Sequence, residues 1–172
     1  MSEIKTVDGL NVIGTIYVFT HGDKAADANP GMLYHGFCQV ESLKPHLPPD
    51  PTTILCGTGR RHWDVAIALG LTTSSLTFTS VVGRPESSTE DGKIMLPNGI
   101  VIEFANYDLT GFKEALLALF NSLTSTVVIC AGRPCLKYLG IKEAQSAAMY
   151  KITGNTVELV ATAGGETGTT EV

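Results

Sequence analysis

The stretch VIGTIYVFTHGD, residues 12–23, decides the fold class. Residues 12–19 are short, apolar and rich in β-branched and aromatic side chains, which is the pattern of a buried strand. The run stops at Thr20-His21-Gly22-Asp23, where a glycine lets the backbone turn and polar side chains replace apolar ones. The rest of the chain alternates in the same style. Leu33, Phe37, Val40, Leu43 and Leu47 recur at spacings of three and four and predict a helical face, stopped by Pro48-Pro49-Asp50-Pro51. Thr53 to Cys56 predicts a second strand ending in Gly57-Thr58-Gly59, followed by a helix over His62 to Leu69.

Further along, Leu76 to Val82 reads as a third strand. Residues 83–99 form a polar excursion with room for a hairpin, and Ile100 to Phe104 follows as another strand. Gly111 to Leu123 carries the clearest helical stripe, with Phe112, Ala115, Leu116, Leu119, Phe120 and Leu123 on one side. It leads into TVVIC, residues 126–130, apolar enough for the centre of a sheet. Pro134 suits a first helical turn, and residues 147–160 predict two strands joined by Thr153-Gly154-Asn155. Such alternation implies a three-layer α/β domain, a mostly parallel central sheet with helices on both faces. The expected domain spans residues 1–160, with 161–172 as a flexible C-terminal tail.

The 172 residues suffice for one hydrophobic core and are few for two. With 44% hydrophobic and 17% charged residues, the chain is not disordered. A net charge of −5 argues against a nucleic-acid surface, while leaving room for a local anion pocket. The N-terminus lacks a signal-peptide pattern and no apolar run is long enough to span a membrane, so a cytoplasmic protein with no membrane partner is expected. Cys38, Cys56, Cys130 and Cys135 form no CxxC pair, and three of them sit among apolar or small residues as reduced thiols do.

In a sheet of this kind, chemistry collects beyond the carboxyl ends of the strands. Three such ends stand out: Thr20-His21-Gly22, Gly57 to His62, and Ala131-Gly132-Arg133. If strands 12–19, 53–56 and 126–130 are neighbours, these ends share one crevice. His21 is placed to attack phosphorus. Arg60 and Arg61 offer guanidinium groups to phosphoryl oxygens, though their adjacency turns only one toward any pocket. His62 and Arg133 are within the same segments. The histidines have no metal-ligand spacing, so no metal is expected. Gly57-Thr58-Gly59 lacks the third glycine of a dinucleotide loop, and the lysine and hydroxyl of a phosphate loop, so no ATP or NAD cofactor is expected either.

The order of segments resembles the histidine phosphatase superfamily, the phosphoglycerate mutase-like proteins. That family opens with a strand ending in Arg-His-Gly; Thr20-His21-Gly22 keeps the histidine and glycine. Its following Leu-Thr-x-x-Gly-x-x-Gln-Ala is matched by Leu33, Gly36, Gln39 and the later Leu43. Its Ser-x-x-x-Arg-Ala-x-x-Thr-Ala is matched at Arg61 and Ala66. Its late strand ends in a histidine, where this chain has Ala131-Gly132. The resemblance implies His21 as the catalytic residue and Gly22 and Arg61 in the phosphate pocket; Arg133 and His62 are candidates to stand in, from new positions, for the missing pocket groups. Asp23, Glu86 and Glu90 are candidates for the acid by loop position alone.

Losing the arginine at Thr20 and the histidine at Ala131 removes two electrostatic groups, each commonly worth about 3 kcal/mol in such a step. The expectation is a divergent member with a phosphate-binding crevice and no efficient phosphatase activity. Two alternatives stay open: a weak metal-independent phosphomonoesterase or phosphotransferase working through a phosphohistidine at His21, and a non-catalytic protein-interaction domain. The partner would be a phosphorylated small molecule or a phosphoprotein.

Overall fold

In the computed structural model, described for residues 3–26, 30–71, 76–79, 81–83, 92–95, 101–104 and 109–163, the TVVICA strand sits inside a seven-stranded sheet. The elements in chain order are β1 (Glu3–Thr6), β2 (Val12–Thr20), α1 (Tyr34–Glu41), a 3-10 turn (Lys44–His46) and β3 (Thr53–Cys56). Then come α2 (Arg60–Ala68), β4 (Thr77–Phe78), β5 (Gly92–Met95), β6 (Val101–Phe104) and α3 (Leu109–Ser122). β7 (Thr126–Ala131), α4 (Pro134–Lys137), β8 (Ala148–Gly154) and β9 (Thr156–Thr162) complete the order.

The sheet order is β1-β9-β8-β2-β7-β3-β4. β2, β7, β3 and β4 run parallel, while β8, β9 and β1 add an antiparallel flank. The three strands whose ends carry the candidate residues are therefore consecutive, β2-β7-β3, and their tips open on one edge.

The continuous apolar runs of β2 and β7 follow from burial on both faces. Val127, Ile129 and Ala131 of β7 pack with Ala115, Leu116, Leu119 and Phe120 of α3 in one cluster. Val128 and Cys130 point the other way, toward Val40 of α1 and Val65, Ala66 and Ala68 of α2. The four cysteines are free thiols; Cys56, Cys130 and Cys135 are buried and Cys38 is exposed.

Several boundaries differ from the sequence reading, each for a physical reason. α1 ends at Glu41, because Pro45 has no N–H to return to the Glu41 carbonyl; the chain continues as the 3-10 turn, and Leu43 stays buried. Leu33 precedes the helix and is exposed. The third strand shrinks to Thr77–Phe78, since its partner β3 ends at Cys56 and the ladder ends with it. β5, Gly92–Met95, pairs antiparallel with β6, the strand expected over 100–104, instead of forming a hairpin within 83–99. β9 continues to Thr162, two residues past the expected domain boundary at 160, and the Ala163 N–H bonds the Ala147 carbonyl. β1 is a short polar segment with no apolar signal, and the sequence reading contains no strand there.

The turn after β2 is pressed directly onto α1. A Cβ on Gly22 would meet the Gly36 backbone, and one on Gly36 would meet the Asp23 carbonyl. Gly36→Ala therefore has to push two backbones apart, at a cost of about 1–3 kcal/mol. Thermal unfolding of that variant is expected several degrees below the parent, and an unchanged midpoint would refute the close packing.

Candidate functional site

His21 leaves the end of β2 with its backbone held on both sides. Its N–H bonds the Ala131 carbonyl at 3.3 Å, and its carbonyl accepts the Ala147 N–H at 2.7 Å. Ala147 achieves this with φ of 49°, in the left-handed region that a non-glycine residue adopts only at a cost. Thr20 clamps the same turn: its hydroxyl donates to the Gln145 carbonyl at 2.7 Å and accepts the Ala148 N–H at 3.0 Å.

Four polar side chains from three strand ends are buried together. His21, Arg61, His62 and Arg133 expose 2%, 3%, 0% and 0% of their surfaces. The two imidazoles lie with ring centroids 6.1 Å apart, tilted by 58°. The guanidinium groups act on them electrically: Arg61 on both rings, Arg133 on His21. Of the adjacent arginines only Arg61 turns inward; Arg60 is exposed.

Burial chiefly, then the Arg61 charge, push the His21 pKa down to about 3. Burial and Arg61 also hold His62 well below the usual histidine value. Both rings are neutral at pH 7, and their hydrogen bonds fix where each single proton sits. His21 Nδ1 faces the Gly22 carbonyl at 2.9 Å, so it carries the proton and Nε2 keeps a lone pair. His62 Nδ1 accepts the Gly59 N–H at 3.1 Å, so the proton is on Nε2. Both Nε2 atoms are buried without a hydrogen-bond partner among the described residues.

The other candidates fall elsewhere. Gly22 packs on α1. The Asp23 carboxylate accepts bonds from His35 Nε2 at 2.9 Å and Gln39 Nε2 at 3.2 Å, tying it to α1. Glu86 and Glu90 lie outside the described residues. Sequence reasoning missed Gly83, which touches the His62 ring, and the Gln145–Ala148 turn that positions His21. Gly83 had one signal, a glycine closing an apolar stretch as Gly57 and Gly132 do.

Thr20 and Ala131, which stand where the resemblance would place an arginine and a histidine, are register partners at the end of the β2–β7 ladder, and both are fully buried.

Solved structures share this arrangement of strands and helices. The protein TTHB049 from Thermus thermophilus superposes with a TM-score of 0.57 at 13% identity, covering 80% of this chain and 92% of that one. Phosphoglycerate mutase from the same organism gives 0.54 at 11% identity, over 86% and 99%. The mycobacterial glucosyl-3-phosphoglycerate phosphatase gives 0.53 at 11% identity, over 80% and 89%. The fold is phosphoglycerate mutase-like. No family sequence model and no curated protein sequence matches the chain. Among the described residues, no helix of this phosphoglycerate mutase-like fold is long and apolar enough to cross a membrane.

Two buried neutral rings leave a signature in acid. Below pH 6.5 the unfolded chain protonates both histidines and the native state does not, until the much lower native pKa values are reached. Native stability should therefore fall as pH drops from about 6.5 to about 4.5, with a slope approaching 1.4 kcal/mol per pH unit for each ring. Urea unfolding across this range tests it, and His62→Gln should remove about half of the slope. A midpoint independent of pH would contradict the buried neutral pair.

Proposed function

We propose that this chain is a divergent histidine phosphatase-like protein whose buried His21–Arg61–His62–Arg133 cluster binds a phosphoryl group, and that it is not an efficient phosphatase. The observation that carries the reading is His21 Nε2: buried, with its lone pair available, unpartnered among the described residues and under the influence of two guanidinium groups. Arginine forks suit tetrahedral oxyanions geometrically and electrically. Two of the fold neighbours are by name a phosphatase and a mutase of phosphoglycerate compounds. The ligand is a phosphorylated small molecule or a phosphoprotein, and four free thiols fit a cytoplasmic setting.

Inefficiency follows from what the strand ends lack. Thr20 spends its hydroxyl on the Gln145–Ala148 turn, and Ala131 has no polar side chain. Asp23 is committed to His35 and Gln39, which weakens its claim as the acid that would protonate a leaving alcohol.

Slow phosphomonoesterase action is the second reading, favoured by the His21 tautomer. The Nδ1–H bond to Gly22 leaves Nε2 ready to form a bond to phosphorus as the ester P–O bond breaks. The leaving alkoxide takes its proton from solvent, and water then attacks phosphorus, breaking the P–N bond to release inorganic phosphate and return the lone pair to Nε2.

Calorimetric titration with inorganic phosphate, and phosphate release from a panel of phosphomonoesters without added metal, separate these readings. The wild type should bind phosphate, Arg61→Ala should weaken that binding by about tenfold or more, and turnover should be roughly 10⁴-fold or more below a phosphatase with a complete pocket. Turnover above that level, and abolished by His21→Ala, would replace the first reading with the second. Absence of both binding and turnover would sink both.

A further inference from the structure

The His62 ring is fully buried. Three segments distant in sequence meet around it, and each presents a glycine. A Cβ on Gly57 would stand 2.5 Å from Nδ1, one on Gly83 2.6 Å from Nε2, and one on Gly132 3.0 Å from Nε2. Gly57 follows β3, Gly132 follows β7, and Gly83 lies beyond the end of β4. Bonds from the Thr58 N–H to the Gly83 carbonyl (2.8 Å) and from the Gly132 N–H to the Val82 carbonyl (3.2 Å) knit these segments together.

Capping α2 explains only half of the ring. Nδ1 accepts the Gly59 N–H, the reciprocal half of a capping box. Nε2 then carries the proton, and this buried donor has no partner among the described residues. Native folds seldom leave such a donor without a purpose. Across from it His21 shows the opposite polarity, a buried Nε2 lone pair that also lacks a partner. The ring centroids are 6.1 Å apart, and neither Nε2 has a hydrogen-bond partner among the described residues.

We propose that His62 is a phosphoryl-binding residue, its Nε2–H donating to a nonbridging oxygen of an oxyanion whose phosphorus faces His21 Nε2, with Gly57, Gly83 and Gly132 holding the ring in place. The inference rests on the phosphoryl-site reading above and specifies how that site grips its ligand. His62 acts as a neutral donor, so it orients the anion without adding positive charge. Because the same ring caps α2, the start of that helix and the bound anion share one imidazole.

Substitution separates the two roles. His62→Asn keeps an acceptor near Nδ1 for the Gly59 N–H and removes the distal donor. His62→Gln restores an N–H near the Nε2 position. With inorganic phosphate as the calorimetric probe and orthovanadate as a second, His62→Asn should weaken binding about 10- to 100-fold, and His62→Gln should recover most of it. In ¹⁵N-labelled wild type, the His62 Nε2–H resonance should move on saturation with phosphate. If the wild type binds phosphate, Arg61→Ala loses it and His62→Asn binds as tightly as the parent, His62 is only a helix cap; the inference fails while the site reading stands. If His62→Asn does not fold, an unmoved Nε2–H resonance in phosphate-saturated wild type overturns it. If the wild type binds neither anion, both readings fall.

Discussion

An imidazole buried beside guanidinium groups is neutral, and a neutral imidazole has to commit its single ring proton to one nitrogen. That constraint applies twice at the tips of β2 and β3, where His21 and His62 are sealed beside Arg61 and Arg133. Backbone groups make the commitment in both cases. The Gly22 carbonyl takes the proton of His21 on Nδ1, and the Gly59 N–H leaves His62 Nδ1 bare. The two Nε2 atoms consequently have opposite polarity, an arrangement that suits one ligand offering both an electrophilic centre and an acceptor oxygen.

Holding these rings shapes the loops around them. His21 is pinned between the Ala131 carbonyl and the Ala147 N–H, and Ala147 accepts a left-handed backbone to reach it. His62 requires three strand ends to give up their side chains. The parallel order β2-β7-β3 is what allows both, because it sets the ends of three segments side by side above two packed clusters.

The sheet and its helices were legible because the apolar period is strong where both faces are covered: β2, β3, β7 and α3 lie within about two residues of their sequence reading. β1 escaped notice because a polar edge strand needs no apolar pattern, and β4 was overextended because its length depends on a partner. At the site, strand-end position pointed to His21 and to the Arg60-Arg61 pair, and the family resemblance chose Arg61, the one that is buried. The tautomers, the glycine cradle and the Gln145–Ala148 clamp could not be found in this way, since each depends on contacts between residues far apart in the chain.

Thr20 and Ala131 place the divergence in physical terms. They face each other in the β2–β7 register, so the arginine and histidine expected by family resemblance are absent from one spot in the sheet rather than from two. Both replacements are small and fully buried, and Thr20 turns its polarity to the backbone. Polar groups have not left the neighbourhood: Arg133 lies two residues beyond Ala131, and the Nε2 atom of His62 reaches the same strand end beside Gly132. A chain that had simply lost its function would be under no physical pressure to keep two imidazoles and two guanidinium groups buried at these tips, since burying such groups costs stability. Their burial is a cost that apolar packing of the same space would not carry, and it sets the proposed anion grip on the helix and turn beside the β2–β7 ladder end rather than on the ladder itself.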